Sequence, residues 1–470
     1  MAGFRVVLGC LGLMVGSLAL AQAPAAGAVG TRSTDTPRAL ASAAASVRAV
    51  AICSGLWTGN QTLTQMEKYI LAPPGSSHTE IDQANRVVAV TYADNMPPRY
   101  VVWRRVLGCV QLPTGATLEA AKYLPQADSA LHAPDLDQQR WPMGDRDAAG
   151  ALPKAQKASI DRLVESAFGK TYGGNTWGVL IVKDGKIIAE RYGMGFDVHV
   201  GHQTHSAAKS FASSVVGIAT WKNGLDIKRP GALAEWRHPG DPRGAITVEH
   251  LLHMSSGLYG EGGGSPQGDI YLQGASVADR AVTNVLDTMP GTRFLYNPPD
   301  TMLAMRAVRQ AVNDDRRYYT YPFEELFWKV GMTRTITSSD WNGDFLMSGQ
   351  TYSTARDFAR FGLLYLADGV WIGQRILPEG WVKYVMTPGP VQPDGAGPRY
   401  GGQFWLYGGQ AGLPADAYSP NGGQGQYAMI VPSRNIVVVR RGIDDPASGF
   451  SIAQFSADVL AALSPDTRLR

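Results

Sequence analysis

Apolar positions in residues 151–470 form short strand-like runs at both ends of the region and follow a helical period between them. Asp184-Gly185 separates the first two runs, and this pair is typical of a tight hairpin turn. The pattern predicts strands over 179–182 and 187–192, strands over 427–431 and 436–441, and helices over 154–168 and 451–463. Strand pairs at both ends with helices between them indicate an α+β fold, an antiparallel sheet flanked by helices with a helical lobe.

A second β-rich pattern precedes this region. It predicts strands over 47–52, 86–92 and 100–112, with one helix over 63–71. Residues 24–46 are rich in Ala, Ser, Thr and Pro, as in a flexible lead-in, and residues 126–150 form a polar linker with several Pro and Asp residues. We therefore expect a β-rich subdomain over 47–125 and one large domain over 151–470.

The first residues carry the features of a secretory signal peptide. One positive charge at Arg5 precedes an apolar run over 6–20, and Ala19-Leu20-Ala21 fits a small-x-small cleavage site. The run is short for a membrane-spanning helix. We expect a signal peptide over 1–23, a periplasmic or secreted protein, and no stable membrane insertion after cleavage; a lipid or uncleaved anchor is the alternative.

Cysteine usage agrees with export. Cys10 lies in the expected signal peptide, which leaves Cys53 and Cys109 as an even pair. An oxidising compartment favours a disulfide between them, and two buried free thiols are the alternative. Neither cysteine has the C-x-x-C spacing of a zinc site, so no metal is expected there.

Composition and charge narrow the classes of function. Hydrophobic residues make up 44% of the chain and charged residues 18%, which is enough apolar content for a large core. The formal net charge is +3 without a basic cluster, so nothing supports nucleic-acid binding. The 54 glycines and 29 prolines indicate many turns, as in an enzyme with a site built on loops.

Ser206-Ala207-Ala208-Lys209 is the strongest candidate for chemistry. It opens a helix of small residues that we expect to end at Asn223-Gly224. A serine and a lysine three positions apart lie on one helix face, where a buried lysine could accept the serine proton. Backbone N–H groups at the helix start could stabilise a developing oxyanion. The motif alone is weak, because Ser and Lys often meet at this spacing by chance.

Further segments make the chain resemble a known family, the serine β-lactamases and penicillin-recognising hydrolases. Within it, the chain resembles the class C-like branch that includes 6-aminohexanoate-dimer hydrolase and related secreted esterases. The matching segments are Ser206-Ala-Ala-Lys209, ITVEHLLHMSSGL over 246–258, PGTRFLYN over 290–297 and YSTARDFARFGLLYL over 352–366. The resemblance extends over most of residues 177–443 and implies the α+β fold of that family.

The resemblance also implies roles for named residues, without a metal or organic cofactor. Ser206 would attack a carbonyl carbon, and Lys209 would provide the positive charge that lets Tyr296 shuttle protons. The backbone N–H groups of Ser206 and Gly423 would form the oxyanion hole. Each role has a structural alternative: an N-cap serine, a surface lysine, a half-buried tyrosine and a glycine at the entry to a strand.

Substrate contacts are expected from Asn297, Trp405 and Gln426, although Trp405 could equally be a core residue. Pro420-Asn421-Gly422 stands where β-lactamases carry a cationic motif and contains no lysine. Without that cation, a β-lactam carboxylate loses its usual anchor. The sequence therefore argues against potent β-lactamase activity.

Taken together, these residues predict an exported serine hydrolase that cleaves an amide or ester bond through an acyl-enzyme on Ser206. Its partner would be a small-molecule or short-peptide substrate. One alternative is a D,D-peptidase or weak β-lactamase, and another is a protein that binds peptide or glycan without turnover. The sequence does not determine the oligomeric state.

Overall fold

The computed structural model describes residues 36–464 except 74, 76, 129, 261–264 and 446. The predicted signal peptide over 1–23 and the first part of the lead-in, residues 24–35, lie outside the described residues.

An N-terminal unit, residues 37–124, packs a long helix on a small antiparallel sheet. Its elements are α1 Pro37–Trp57, α2 Leu63–Tyr69, β1 Thr79–Asp82, β2 Val87–Val90, β3 Arg99–Arg104 and β4 Gly108–Gln111, with the strands in the order β1-β2-β3-β4. Val88, Val90 and Val101 face α1, while Val102 and Val110 pack on Leu124 and its neighbours on the other face. Apolar side chains on both faces explain why these strands read as continuous apolar runs.

Helix α1 corrects two expectations. Residues 37–46 of the predicted flexible lead-in and the predicted strand over 47–52 are both helical. The Thr36 hydroxyl accepts a hydrogen bond from the Ala39 N–H, with Pro37 in the first helical turn. Small side chains then recur at helical spacing on the buried face, including Ala45 and Ala49. A short apolar run does not by itself distinguish a buried helix from a strand.

The expected disulfide is confirmed. It joins Cys53 on α1 to Cys109 on β4, with the two Cα atoms 6.0 Å apart. By length and composition α1 could also cross a membrane, and 44% of its apolar window is buried inside the protein. The expectation about membrane insertion stays a prediction.

The remaining described residues fold around a larger sheet. Its helices are α3 Lys154–Ala167, α4 Ala208–Lys222, α5 Val248–Leu252, α6 Pro266–Gln273, α7 Val277–Arg280, α8 Pro298–Val312, α9 Asp315–Pro322, α10 Ala355–Leu366, α11 Trp381–Met386 and α12 Ile452–Ala462. The strands of this region are β5 Thr176–Lys183, β6 Lys186–Tyr192, β7 His202–Gln203, β8 Ile336–Thr337, β9 Thr351–Ser353, β10 Val370–Trp371, β11 Gln374–Arg375, β12 Arg399–Tyr400, β13 Trp405–Leu406, β14 Tyr418–Ser419, β15 Asn421–Gly422, β16 Gln426–Val431 and β17 Ile436–Gly442. Of these, β7, β9 and β8 form a separate three-stranded sheet, and β10 and β11 form a separate pair.

Both predicted hairpins are present, and they lie side by side in one antiparallel sheet. The strand order is β12-β13-β14-β16-β17-β5-β6, and β15 pairs with β16. Strands β17 and β5, which are far apart in sequence, pair with Val438 opposite Ile181. Helices α3 and α12 cover one face through residues such as Val164 and Phe455, and α4 and α10 cover the other. The expected α+β architecture is confirmed.

Residues 126–150 are not a free spacer, although they contain none of the labelled helices or strands. Trp141 belongs to the main hydrophobic core, and its indole N–H donates to the Gly185 carbonyl oxygen at 2.8 Å. Asp145 accepts a hydrogen bond from buried Arg360 at 2.8 Å. The expected boundaries between subdomain, linker and domain stay a prediction.

Candidate active site

A short turn immediately before α4 brings Ser206 to the edge of the core. A short 3-10 turn over His205–Ala207 joins β7 to α4, and His205 has the left-handed φ of +47°. Ser206 is half-buried on this turn. The guanidinium of Arg441, fully buried, donates to the carbonyl oxygens of His202 at 3.1 Å and Ser353 at 2.8 Å. Because the buried arginine donates hydrogen bonds to these carbonyl oxygens, it fixes the position of the strand that leads into Ser206.

Lys209 lies directly beneath Ser206. Its Nζ is 3.1 Å from the Ser206 Oγ and donates to the Ser348 carbonyl oxygen at 2.7 Å. Only 1% of the residue is exposed, because α4 is packed against the core over almost its whole length. Burial lowers the pKa of Lys209 to about 7, against the smaller opposing effect of the Asp300 charge. The lysine can therefore be neutral near neutral pH.

Tyr296 is the third residue that the sequence predicts to be catalytic, after Ser206 and Lys209. The Lys209 Nζ lies 4.9 Å from the centroid of its ring, and the Ser206 side chain is close enough to lower the pKa of the Tyr296 phenol, by less than burial raises it. Burial raises the pKa of Tyr296 above its usual value near 10. The phenol is then neutral near pH 7, so Lys209 is the group beside Ser206 that can more readily accept a proton.

The glycine-rich turn after β15 lies against the turn that carries Ser206. A Cβ atom on Gly422 would overlap the Thr204 carbonyl oxygen and lie 3.1 Å from the Ala207 nitrogen. Gly423 is exposed, and a Cβ there would lie 3.7 Å from the His205 ring. The close approach explains a glycine at 422. It also places Gly423 beside the turn that carries Ser206; its oxyanion role stays a prediction.

Of the three expected substrate contacts, the structure places one at the site. Trp405 is half-buried, and its ring centroid is 5.7 Å from that of Tyr296 and 4.9 Å from that of Tyr400. These rings form an aromatic cluster around Tyr296, in which Tyr400 is only 2% exposed.

The expectation that Asn297 and Gln426 contact substrate is corrected, because both side chains are buried and form hydrogen bonds within the protein. Each residue is 1% exposed. Asn297 Nδ2 donates to Asp300 Oδ1 at 2.9 Å. Gln426 Nε2 donates to the Gly442 carbonyl oxygen at 2.6 Å, and its Oε1 accepts from Arg441 Nε at 2.7 Å. Sequence position alone did not indicate which way these amides point.

Three further residues support Lys209 and were missed by the sequence analysis. Ser348 supplies the carbonyl described above, and its hydroxyl hydrogen-bonds with the hydroxyl of Tyr271 on α6. Asp300 is buried one helical turn after Tyr296, where its Oδ1 accepts from Ser256 Oγ at 2.9 Å. Burial raises the pKa of Asp300 to about 7. The spacing of Asp300 from Tyr296 is a sequence signal that could have identified Asp300 as part of the site. No local pattern marks Tyr271 or Ser348.

Asp137, Asp145 and His199 form a second cluster, with ligand-type atoms within 4.8 Å of one another. Both carboxylates already have cationic partners. Arg334 donates to Asp137 at 2.7 Å, and Arg360 to Asp145 at 2.8 Å. Such pairing suits a structural network of ions. The expectations of no metal and no cofactor stay predictions.

An antiparallel sheet between helical layers, with Ser206 and Lys209 in contact at the start of a buried helix, defines a serine hydrolase. The chain belongs to the Beta-lactamase family, whose sequence model matches residues 161–440. The resemblance drawn from the sequence, the fold class and the assignment as an enzyme are thereby confirmed.

Individual proteins agree with this membership. A 6-aminohexanoate-dimer hydrolase from Paenarthrobacter ureafaciens is 26% identical over 286 residues, which are 56% of this chain and 71% of that protein. The fold is similar to that of a penicillin-binding protein homologue from Caulobacter crescentus, at a TM-score of 0.51 and 15% identity over 67% of this chain and 99% of that one. A family VIII carboxylesterase also has a similar fold, at a TM-score of 0.51 and 15% identity over 67% of this chain and 98% of that one.

Proposed function

We propose that this protein is an exported hydrolase that cleaves an amide or ester bond through an acyl-enzyme on Ser206. The observation that carries the proposal is the contact of 3.1 Å between Ser206 Oγ and the buried Lys209 Nζ. A serine hydroxyl needs a base within hydrogen-bonding distance to become a nucleophile. Lys209 meets this requirement, because burial lowers its pKa to about 7.

Acylation follows from these positions. Neutral Lys209 accepts the Ser206 proton while Oγ bonds to the substrate carbonyl carbon, and the backbone N–H groups of Ser206 and Gly423 stabilise the oxyanion. The bond to the leaving nitrogen or oxygen then breaks. The proton passes from the Lys209 ammonium through the Tyr296 hydroxyl to the leaving group. Water attacks the acyl-enzyme by the reverse proton path, which releases a carboxylic acid and restores Ser206.

The chemistry of the surroundings supports a small amide or ester as substrate. Tyr296 and Trp405 are half-buried aromatic residues, and the Tyr296 ring lies beside the Lys209 amine that contacts Ser206. Asn421-Gly422 leads into the glycine-rich turn without the lysine that would bind a substrate carboxylate. The relative from Paenarthrobacter ureafaciens is named as a hydrolase of 6-aminohexanoate dimer, a small molecule. Export is supported by the signal-like residues 1–23 and the disulfide between Cys53 and Cys109.

Intact-mass spectrometry of the mature protein with p-nitrophenyl acyl esters and short linear amides tests the proposal. We expect one acyl group on the wild type and on Ser433→Ala, a control at an exposed serine on the β16–β17 turn, and none on Ser206→Ala. Equal labelling of Ser206→Ala would show that Ser206 is not the nucleophile. If no compound in the panel gives an adduct or product, the binding-protein alternative replaces the hydrolase, and cleavage confined to D-Ala-D-Ala peptides or penicillins would favour the peptidase alternative.

A further inference from the structure

The N-terminal unit lies before the residues that the family model matches, and it forms hydrogen bonds with the C-terminal end of α6. The Thr114 N–H donates to the Gln273 carbonyl oxygen at 3.0 Å, and the Thr114 hydroxyl to Gln273 Oε1 at 2.9 Å. Ser42 on α1 donates to the same Oε1 at 3.3 Å. Gly274, at φ +67°, ends the helix so close to β4 that a Cβ there would lie 2.6 Å from the Leu112 carbonyl oxygen. An eight-residue helix has little stability of its own, so these contacts fix its position.

Helix α6 in turn contacts the support of the catalytic lysine. Tyr271 lies two residues before Gln273, and its hydroxyl hydrogen-bonds with the hydroxyl of Ser348. Ser348 is buried, and its carbonyl oxygen accepts from the Lys209 Nζ at 2.7 Å. A lysine side chain has four rotatable bonds, so this carbonyl is what holds Nζ in reach of Ser206 Oγ. A continuous set of contacts therefore joins Gln273 to the amine.

The same unit also contacts the strand that leads to Ser206. Gln61 Nε2 donates to the Gly201 carbonyl oxygen at 2.7 Å, and the Gly201 N–H donates to the Gly59 carbonyl oxygen at 2.9 Å. Gly201 lies immediately before β7 and five residues before Ser206. Both members of the Ser–Lys pair are thus supported by residues outside the part of the chain that the family model matches.

We propose that the N-terminal unit is a working part of the active site, and that Gln273 and Tyr271 are positioning residues which hold Lys209 against Ser206 through Ser348. The proposal rests on the proposed function, because it assigns the unit a part in acylation. Gln273 fixes α6, Tyr271 transmits that position to Ser348, and the Ser348 carbonyl sets where Nζ lies. Neither residue reacts with substrate.

A double-mutant cycle on acylation tests this order of action. Gln273→Met keeps the length of the side chain and removes its hydrogen bonds, and Tyr271→Phe removes only the hydroxyl. Each variant should lower kcat about fivefold, the factor expected from one hydrogen bond, with KM unchanged. The double variant should be no slower than Tyr271→Phe, because both act through one path. Gln156→Met removes a comparable glutamine contact between α3 and α12 and should leave kcat unchanged.

The proposal is overturned if Gln273→Met keeps kcat within twofold of the wild type, or if the two losses multiply in the double variant. Hydrogen exchange supplies a readout that needs no turnover: amides over 346–351 should exchange faster in Gln273→Met than in the wild type or Gln156→Met. Unchanged exchange there overturns the proposal even if the wild type acylates. If exchange is faster in Gln273→Met but no substrate acylates the wild type, the proposed contacts are supported and only the proposed function is refuted.

Discussion

Replacing Lys209 by methionine should stabilise the protein while it severely slows acylation. Methionine has nearly the same length as lysine and fills the same space without the charge. Lys209 is 1% exposed, so its ammonium has lost its hydration in the folded state. A residue kept for its chemistry at the expense of stability is expected in an active site.

The magnitude follows from the pKa of Lys209. Burial lowers it to about 7 in the folded protein, whereas the unfolded chain has the ordinary value of 10.5. The unfolded state therefore binds more protons between these values, and wild-type stability rises as pH increases from 7 toward 10.5. At pH 7 the difference disfavours folding by about 4 kcal/mol. The variant loses the hydrogen bond to the Ser348 carbonyl, which offsets ~1–3 kcal/mol of this gain.

Urea denaturation at two pH values measures the effect. Lys209→Met should be about 1–3 kcal/mol more stable than the wild type at pH 7, and that advantage should fall by ~2 kcal/mol at pH 9. The control Lys383→Met, at an exposed lysine on α11, should show neither change. Acylation of Lys209→Met should fall ~1,000-fold, as for loss of a general base. Lower stability than the wild type at pH 7, or a difference that is the same at both pH values, would refute the reasoning.

Further predictions concern the other members of the site. Tyr296→Phe should slow single-turnover acylation ~100-fold or more, because the proton relay is lost, while the melting temperature stays within a few degrees; wild-type rates would exclude a relay through this hydroxyl. Gly422→Ala should lose activity and about 2 kcal/mol of stability in thermal denaturation, because its methyl group overlaps the Thr204 carbonyl oxygen. The control Gly397→Ala should keep both, since that glycine is exposed and no atom lies within 4 Å of the added methyl group. Wild-type kcat/KM should rise with pH through about 7, as Lys209 becomes neutral, and a flat profile between pH 6 and 8 would contradict its role as the base.

The sequence by itself determined those features that depend on a few neighbouring residues. The Asp184-Gly185 turn fixes the β5–β6 hairpin, and the spacing of three residues puts Ser206, just before α4, within reach of Lys209 in its first turn. The small residues of α4 indicated a buried helix, which is the condition for a lysine with a lowered pKa. These inferences succeeded because a turn type or a helical period depends on few consecutive residues.

Tertiary structure decided what depends on partners far apart in the chain. Residues 47–52 form helix rather than strand because the face they share with Ala45 packs on the small sheet. Asn297 and Gln426 point inward, where Asp300 accepts a hydrogen bond from the Asn297 amide and Arg441 donates one to the Gln426 amide. Tyr271 reaches Ser348 across 77 residues, a contact without any local signal. Periodicity determines which face of an element is buried, whereas only the packed fold determines which side chains meet there.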